Sequence, residues 1–385
     1  MEQRYFTEEH RLLQGMVREF ARSEVEPVAS EMDRQGQFPT DLVAKLAKLG
    51  LMGVPIPSEF GGAGMDTVAY TIAVHELGVV DASLGITVAA HTSLGTMPIL
   101  MFGSEQLKKK YLAPLAQGEL IGAFGLTEPQ AGSDAGATRT RAQRRKDRYI
   151  VNGQKIFCTN AGIAGVIIFT ARLIEDGEDR GICNFLVETG ASGLRTGPPE
   201  KKMGWRASDT RSLYFEDLEI PLENLVGEAS RGFSQFLEVL AGGRISVGAL
   251  ALGTAEGAYR RALSYSLERE AFGQTISKFQ AVQFKLADMA TQFEAAKHLV
   301  YHAAWLKDQG YNIVKESAMA KLFASEMAMD ITSEAIQIHG GYGYIREYQV
   351  ERFFRDAKAL AIGEGTSEIQ RMLIAREILR EAELS

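Results

Sequence analysis

Several features that define whole classes of protein are scarce in this sequence of 385 residues. It has two cysteines, Cys158 and Cys183, which are too few for a disulfide framework or a cysteine metal site and fit a reducing compartment. Its formal net charge is −7, and no basic stripe offsets the acid excess, so nucleic acid is not expected as the main partner. With 45% hydrophobic and 24% charged residues, the chain has the composition of an ordinary globular protein.

Signals for secretion and membrane insertion are also lacking. The N-terminal segment MEQRYFTEEHRLLQGMVREF has its apolar residues at a helical period, whereas a signal peptide has one continuous apolar core. The longest apolar run, residues 82–102, contains His91 and Pro98 and therefore predicts a buried helix, not a membrane span. No transit peptide precedes Met1, so we expect a cytoplasmic bacterial protein, with the mitochondrial matrix as the less favoured location.

Three common kinds of catalytic motif are missing as well. The dinucleotide fingerprint GxGxxG, followed by an acid about twenty residues on, does not occur after any predicted strand. No G-x-S-x-G nucleophile elbow is present. Glu294, His298 and His302 could share one helix face, but the further ligands that a di-iron bundle needs are absent. We therefore expect no metal site.

The periodicity of the chain predicts three domains. Residues 1–118 have a helical period with Thr7 and Ser104 as N-caps, residues 119–229 contain short β-branched and aromatic runs, and residues 230–385 return to long helical segments. Asn152-Gly153 between two apolar runs predicts a hairpin with a type I′ turn. The predicted fold is α+β and mostly helical, with an N-terminal helical domain, a middle antiparallel β-barrel or sandwich domain and a C-terminal four-helix bundle.

Three glycine-containing segments are candidates for function. Residues 125–137 (GLTEPQAGSDAGA) and 337–356 (QIHGGYGYIREYQVERFFRD) are each either a structural turn or a loop that presents backbone N–H groups to a ligand. The third is the carboxylate Glu364 between Gly363 and Gly365, where the backbone can bend and a partner can approach closely. It is either an exposed loop acid or a catalytic base.

Taken together, these segments resemble the acyl-CoA dehydrogenase family over essentially the whole chain. Residues 125–134 are similar to the family's first signature, and residues 337–356 match the second, with Glu347, Arg352 and Asp356 at the required spacings. The segments NGQKIFCTNAG, KKMGWRASDT and IGEGTSEIQR also follow the family. The helix, sheet and helix order inferred from periodicity agrees independently with the family's fold.

The resemblance implies an enzyme that holds FAD non-covalently and converts an acyl-CoA thioester to the trans-2-enoyl-CoA. In the family a base removes the α-proton, the β-hydride goes to flavin N5, and electrons pass to an electron-transfer flavoprotein in fatty-acid or branched-chain acyl-CoA catabolism. Some relatives carry the base just before an arginine matching Arg244, where this chain has Gly243. Glu364 is then the only candidate at either family position, and its apolar surroundings are predicted to raise its pKa.

The resemblance also implies the binding residues and an assembly. Four of the cofactor positions, Arg269, Phe272, Gln337 and Gly341, are expected to come from a neighbouring subunit, which implies a homotetramer built as a dimer of dimers. The other cofactor positions are Leu126, Thr127, Ser133, Phe157, Thr159 and Thr366. The predicted substrate positions are Ser133, Arg244, Gly363 and Gly365.

Two of these positions depart from the family pattern. Phe157 stands where many members have tryptophan, so stacking on the flavin is expected to survive while electron-transfer contacts differ. Gly363 replaces a tyrosine that precedes the base in many straight-chain enzymes, so the acyl pocket is expected to be wider and to tolerate branched groups.

Two other functions remain open at this point. An acyl-CoA oxidase would give its electrons to O₂, although such chains are usually longer, and a helical binding protein of the same fold would have lost the chemistry altogether. A nitroalkane-oxidising relative is expected to carry aspartate at the base position, and residue 364 is glutamate. Flavin absorbance separates these functions, because a dehydrogenase is bleached anaerobically by acyl-CoA, an oxidase forms peroxide and a scaffold is colourless.

Overall fold

The N-terminal part of the chain is helical. A computed structural model describes residues 2–229 and 231–384. Its first helices are α1 Glu2–Tyr5, α2 Glu8–Phe20, α3 Glu26–Gln35, α4 Thr40–Lys48, α5 Thr67–Val80, α6 Ala82–Ala90, α7 Met97–Phe102 and α8 Glu105–Ala116. Two π-helical segments, Ala21–Val25 and His91–Thr96, join α2 to α3 and α6 to α7. The predicted caps are confirmed, since the Thr7 and Ser104 side chains accept hydrogen bonds from the first turns of α2 and α8.

Two apolar helices form the centre of the helical core. Every residue of α5 is buried, and α5 packs on the long helix α9, Gly232–Glu268. The segments Ala82–Phe102 and Gly232–Glu268 are long and apolar enough to cross a membrane by length and composition, but 78% of each apolar window is buried inside the protein. That burial is typical of core helices.

The middle of the chain folds into one eight-stranded sheet. Its strands are β1 Gly122–Gly125, β2 Arg141–Arg144, β3 Arg148–Thr159, β4 Val166–Glu175, β5 Glu178–Glu188, β6 Leu194–Thr196, β7 Thr210–Pro221 and β8 Leu225–Val226. Their order is β6-β7-β3-β2-β4-β5-β8, with β1 paired to β4. Most pairs are antiparallel, as predicted, but β4 pairs in parallel with both β1 and β2. The sheet is therefore mixed.

The hairpin predicted at Asn152-Gly153 is wrong, because β3 runs straight through these residues. The register with β7 shifts between Val151 and Gly153, which leaves one extra residue on β7. Asp217 there has a φ of 48°, and the Asn152 side chain exchanges two hydrogen bonds of 2.9 Å with Asp217. The asparagine thus stabilises a β-bulge on the neighbouring strand instead of a turn of its own.

The C-terminal part is a bundle organised around one helix. After α9 come a short hairpin, β9 Glu270–Ala271 and β10 Gln274–Thr275, and the helices α10 Gln280–Asp308, α11 Val314–His339, α12 Val350–Leu360 and α13 Ser367–Leu384. Helix α11 packs against α9, α10, α12 and α13. The link between α12 and α13 therefore lies next to the middle of the bundle, and it carries Glu364.

Candidate active site

The Glu364 loop, defined as residues 361–366, is a tight turn between α12 and α13. The Gly363 N–H donates to the Ala359 carbonyl at 2.8 Å, and the Ser367 N–H donates to the Ala361 carbonyl at 3.1 Å. Glu364 itself has a φ of 52° and Gly365 a φ of 94°. A left-handed backbone is unfavourable for glutamate and is usually retained only where the surrounding structure fixes it. The loop therefore holds this side chain in one direction.

The carboxyl group of Glu364 lacks the partners that a buried carboxylate normally has. Its Oε2 is buried and has no hydrogen-bond partner among the described residues. Burial raises the pKa of Glu364 to about 7, and the nearby charges of Lys321 and Arg244 limit the rise. A carboxyl group with this pKa is half ionised near neutral pH and can take up a proton there.

Gly243 on α9 lies directly against this carboxyl group. A Cβ atom added at Gly243 would be 2.4 Å from Glu364 Oε2, which is closer than real Cβ contacts. Position 243 and the Glu364 carboxyl group, the two base positions that the resemblance implies, therefore share one volume. Glycine at 243 leaves room for the carboxylate at 364.

Arg244 lies inside the protein on the same helix, with 4% of its surface exposed. Its Nε has no hydrogen-bond partner in the described part of the chain. Burial lowers the pKa of Arg244 to about 10, and the charge of Glu364 opposes that fall. The structure thus places Arg244 in the electrostatic surroundings of Glu364, and its predicted contact with CoA stays a prediction.

Lys321 is a site residue that the sequence reasoning missed. It lies on α11, it is fully buried, and its Nζ donates a hydrogen bond of 2.7 Å to the Gly365 carbonyl. Burial lowers the pKa of Lys321 to about 8, and the charge of Glu364 opposes the fall. A lone lysine in ESAMAKLFASEMA was the available signal, because its neighbours one helix turn away, Ser317, Ala318, Ala324 and Ser325, are small and uncharged.

Gln370 in the first turn of α13 contacts the Glu364 loop. The Thr366 hydroxyl accepts the Ile369 N–H at 3.4 Å and so caps this helix. Gln370 Nε2 donates to the carbonyls of Gly365 at 2.9 Å and Glu364 at 3.3 Å. This side chain is therefore a second support of the Glu364 loop.

Four predicted cofactor positions come together at the ends of β1 and β3. The Ile156 N–H donates to the Thr127 carbonyl at 2.8 Å, so the residues after β1 lie along β3 beside Phe157. Phe157 has a φ of 57° and lies at the second register shift between β3 and β7, between Lys155 and Cys158. Its side chain is 63% exposed. Leu126, Thr127, Phe157 and Thr159 form what we call the Phe157 face, which offers a ring for stacking. Ser133 lies further along the loop and is exposed.

A buried ion pair supports the Phe157 face from inside. Lys155 Nζ donates to Glu128 Oε1 at 2.7 Å, to the Leu126 carbonyl at 3.0 Å and to Thr170 Oγ1 at 3.0 Å. Glu128 also accepts the backbone N–H groups of Arg139 at 2.7 Å and Thr140 at 3.1 Å. Burial would raise the pKa of Glu128, but these donors outweigh it and lower the pKa to about 2. This carboxylate is therefore a permanently charged structural group.

Two further cofactor positions, Arg269 and Gly341, line a separate cleft, whereas Thr366 lies in the Glu364 loop. A cleft of about 500 Å³, the Arg269 cleft, is lined by Arg269, His339, Gly341 and Tyr342 among others. Phe272 is 96% exposed at the tip of the β9–β10 hairpin, and Gln337 is exposed near the end of α11. No residue of the Phe157 face lines this cleft. In one chain, the Phe157 face and the Arg269 cleft are therefore two separate parts of the predicted cofactor site.

A small cavity of about 40 Å³ is lined by Gly242 and Gly243 on α9. Its lining includes Tyr70, Met97, Met101 and Lys307, which come from α5, α7 and α10. It has room for only a small group next to the carboxylate.

The fold and this site define a class of protein. Helical layers before and after a small sheet, a buried carboxyl group at a helix junction and an exposed ring on the sheet are the arrangement of a flavin-dependent dehydrogenase. The described residues fit FAD, because the ring at Phe157, the loop at Thr127 and the cation at Arg269 match a planar ring system and a pyrophosphate.

Comparison with known proteins gives the family. The N-terminal, middle and C-terminal domains of acyl-CoA dehydrogenase match residues 7–119, 123–218 and 230–379. A probable acyl-CoA dehydrogenase of Bacillus subtilis is 49% identical over 375 residues, which cover 97% of this chain and 99% of the relative. This chain belongs to the acyl-CoA dehydrogenase family. It is an oxidoreductase that acts on CH–CH bonds, and its cofactor is FAD.

Two solved structures share the whole fold. Butyryl-CoA dehydrogenase from Megasphaera elsdenii is 42% identical with a TM-score of 0.95, covering 97% of this chain and 99% of that one. A structure described as the electron transferring flavoprotein of Acidaminococcus fermentans has a chain that is 47% identical, again with a TM-score of 0.95 and coverage of 97% and 99%. The predicted three-part fold is confirmed.

Proposed function

We propose that this enzyme oxidises a short-chain acyl-CoA to the trans-2-enoyl-CoA, with Glu364 as the base that removes the α-proton. The observation that carries the proposal is the buried Glu364 carboxyl group, whose Oε2 has no partner and whose pKa is about 7. An unpaired oxygen of this kind is costly for folding, and its retention supports a catalytic role. Bound FAD supplies the acceptor for the β-hydride.

Other residues of the chain orient the carboxyl group and contact the substrate in this proposal. The positive φ of Glu364 directs its carboxyl group toward Gly243 and the small cavity, where the acyl Cα is expected to lie. Its backbone N–H makes no hydrogen bond to another described residue, so it is free to donate to the thioester carbonyl. Ser133 and Arg244 remain our candidates for contacts with CoA, and Gly363 and Gly365 give the thioester close access to the backbone.

The small cavity beside Gly243 supports a short acyl chain as the substrate. Its volume is only about 40 Å³, and a similar solved structure is named butyryl-CoA dehydrogenase. Gly363 has only the Ala359 carbonyl within reach of an added Cβ, at 3.4 Å. We therefore expect the pocket to accept a branch near Cβ of the acyl group in addition to straight short chains.

The proposed assembly rests on the split cofactor site, and the proposed electron acceptor rests on a similar solved structure. Because the Arg269 cleft and the Phe157 face lie apart in one chain, we propose that they join across subunits in a homotetramer. The similarity to a structure described as an electron transferring flavoprotein supports such a protein as the acceptor. A cytoplasmic bacterial enzyme of fatty-acid β-oxidation is the cellular role that we propose.

The test is anaerobic bleaching of the flavin by butyryl-CoA. We expect rapid bleaching of the wild type and a loss of about 10²–10⁴-fold in rate for Glu364→Gln, which keeps the shape of the side chain but cannot accept the proton. Glu368→Gln is the matched control, since Glu368 is an exposed acid in the first turn of α13. Bleaching of Glu364→Gln at the wild-type rate would remove Glu364 as the base. Rapid peroxide formation in air would instead favour an oxidase.

A further inference from the structure

Lys321 is the one buried cation that contacts the Glu364 loop through a hydrogen bond among the described residues. Its Nζ donates to the Gly365 carbonyl, which also accepts from Gln370. The lysine comes from the middle of α11, 44 positions before the glycine. Lys321 on α11 therefore holds the backbone immediately after the proposed base, in the loop between α12 and α13.

Several charged and titratable groups lie around Glu364 and Lys321. Glu364 interacts with Arg244 from α9, Tyr70 from α5 and Lys321 from α11, and Lys321 interacts with Glu326 from α11 and Glu368 from α13. Of these, Lys321 and Arg244 lower the pKa of Glu364 against the effect of burial. Lys321 differs from Arg244 in that it also has a hydrogen bond to the loop itself.

We propose that Lys321 is a positioning residue of the active site, which holds the Gly365 carbonyl and places its positive charge near the Glu364 carboxyl group. This inference rests on the proposed role of Glu364. The hydrogen bond fixes the left-handed backbone at 364 and 365, so that the carboxyl group faces Gly243. The charge stabilises the anion in a place where no hydrogen bond to Oε2 does so.

The two contributions can be separated with two variants. Lys321→Gln removes the charge and retains an N–H donor, whereas Lys321→Met removes both while keeping a similar length. We expect both to raise the pKa of Glu364 by about one unit, since a neighbouring positive charge favours the ionised carboxylate. At pH 7 this lowers the ionised fraction from a half to about a tenth, which is about a fivefold loss of rate. Above pH 9, Lys321→Gln should recover most of the wild-type rate and Lys321→Met should not.

The measurement that does not depend on turnover is a ¹³C NMR titration of the Glu364 carboxyl group. Its signal is assigned by its loss in Glu364→Gln, and Lys315→Met serves as the control, because Lys315 lies on the same helix but pairs with Glu381. An upward shift in both Lys321 variants, with none in the control, supports the proposal. An unchanged midpoint in Lys321→Met overturns it. If wild-type enzyme failed to react with any acyl-CoA while the midpoint still moved, the proposed function would be wrong and the positioning role would stand.

Discussion

In the described part of the chain, Glu128 and Glu364 each lie near a buried lysine, and they differ in how completely the carboxylate is satisfied. Glu128 has hydrogen-bond donors on both oxygens and a pKa of about 2. Glu364 has an unpartnered Oε2 and a pKa of about 7. Lys155 binds the carboxylate itself, whereas Lys321 binds the backbone beside it. The comparison teaches that the partners of a buried acid, and not its burial alone, decide whether it serves structure or chemistry.

The largest effect is expected from breaking the structural couple. Lys155→Met leaves Glu128 buried without its ion partner and should lower the free energy of unfolding by about 3–5 kcal/mol, as measured by urea unfolding. The double variant with Glu128→Gln should lose less than the single one, because no unpaired charge remains. A loss below about 1 kcal/mol in Lys155→Met would contradict the importance of this pair.

The next effect concerns the space that Glu364 needs. Gly243→Ala places a Cβ 2.4 Å from the present position of Oε2, so the carboxyl group must move, and we expect a loss of about 10²-fold in kcat. Folding should be retained, because alanine is a better helix former than glycine. The control is Gly15→Ala in α2, where an added Cβ has nothing within 4 Å. Full activity in Gly243→Ala would show that the carboxylate acts from another position.

The two carboxylates also predict losses in different pH ranges as the pH falls. With Glu364 as the proposed base, its ionised form accepts the proton, so kcat should fall about tenfold from pH 8 to pH 6, because its pKa is raised to about 7. The folded pKa of Glu128 lies below its unfolded value of 4.5, so its contribution to stability is present above pH 4.5 and is lost as the pH falls toward 2. Rate profiles and acid unfolding of the wild type and of Glu128→Gln measure the two ranges. A flat rate between pH 6 and 8 would contradict the first assignment.

The smallest effect is expected beside the base, at Gly363. Gly363→Ala adds one methyl group with only the Ala359 carbonyl nearby, at 3.4 Å, so folding should be unchanged. We expect the ratio of isovaleryl-CoA to butyryl-CoA turnover to fall about fourfold, which corresponds to the contact of one methyl group. An unchanged ratio would mean that the branch is accommodated elsewhere in the pocket.

Local signals in the sequence were sufficient for much of this molecule. Helix caps at Thr7 and Ser104, the change of period in the middle of the chain and the apolar run before Glu364 predicted the helices, the sheet and the raised pKa. These features depend on neighbours within a few residues along the chain. The contacts that the sequence did not reveal are distant ones, such as Lys321 with Gly365 and Asn152 with Asp217.

The incorrect prediction of a hairpin at Asn152-Gly153 has the same physical cause, a distant contact that local sequence does not reveal. Asn-Gly favours a turn when nothing else uses its conformational freedom, but here β3 pairs with β7 over its whole length, and the irregularity falls on the partner strand. Tertiary contacts decide between local options that the sequence leaves nearly equal.

The absent side chain at Gly243 has a consequence for how such enzymes diverge. Since an added Cβ at 243 would overlap the present position of the Glu364 carboxylate, an acid at 243 and the acid at 364 cannot both occupy this volume. With Glu364 as the proposed base, moving the acid from 364 to 243 would pass through a protein that has no acid here or two acids that crowd each other. Such a relocation would therefore need a weakened intermediate or two changes at once.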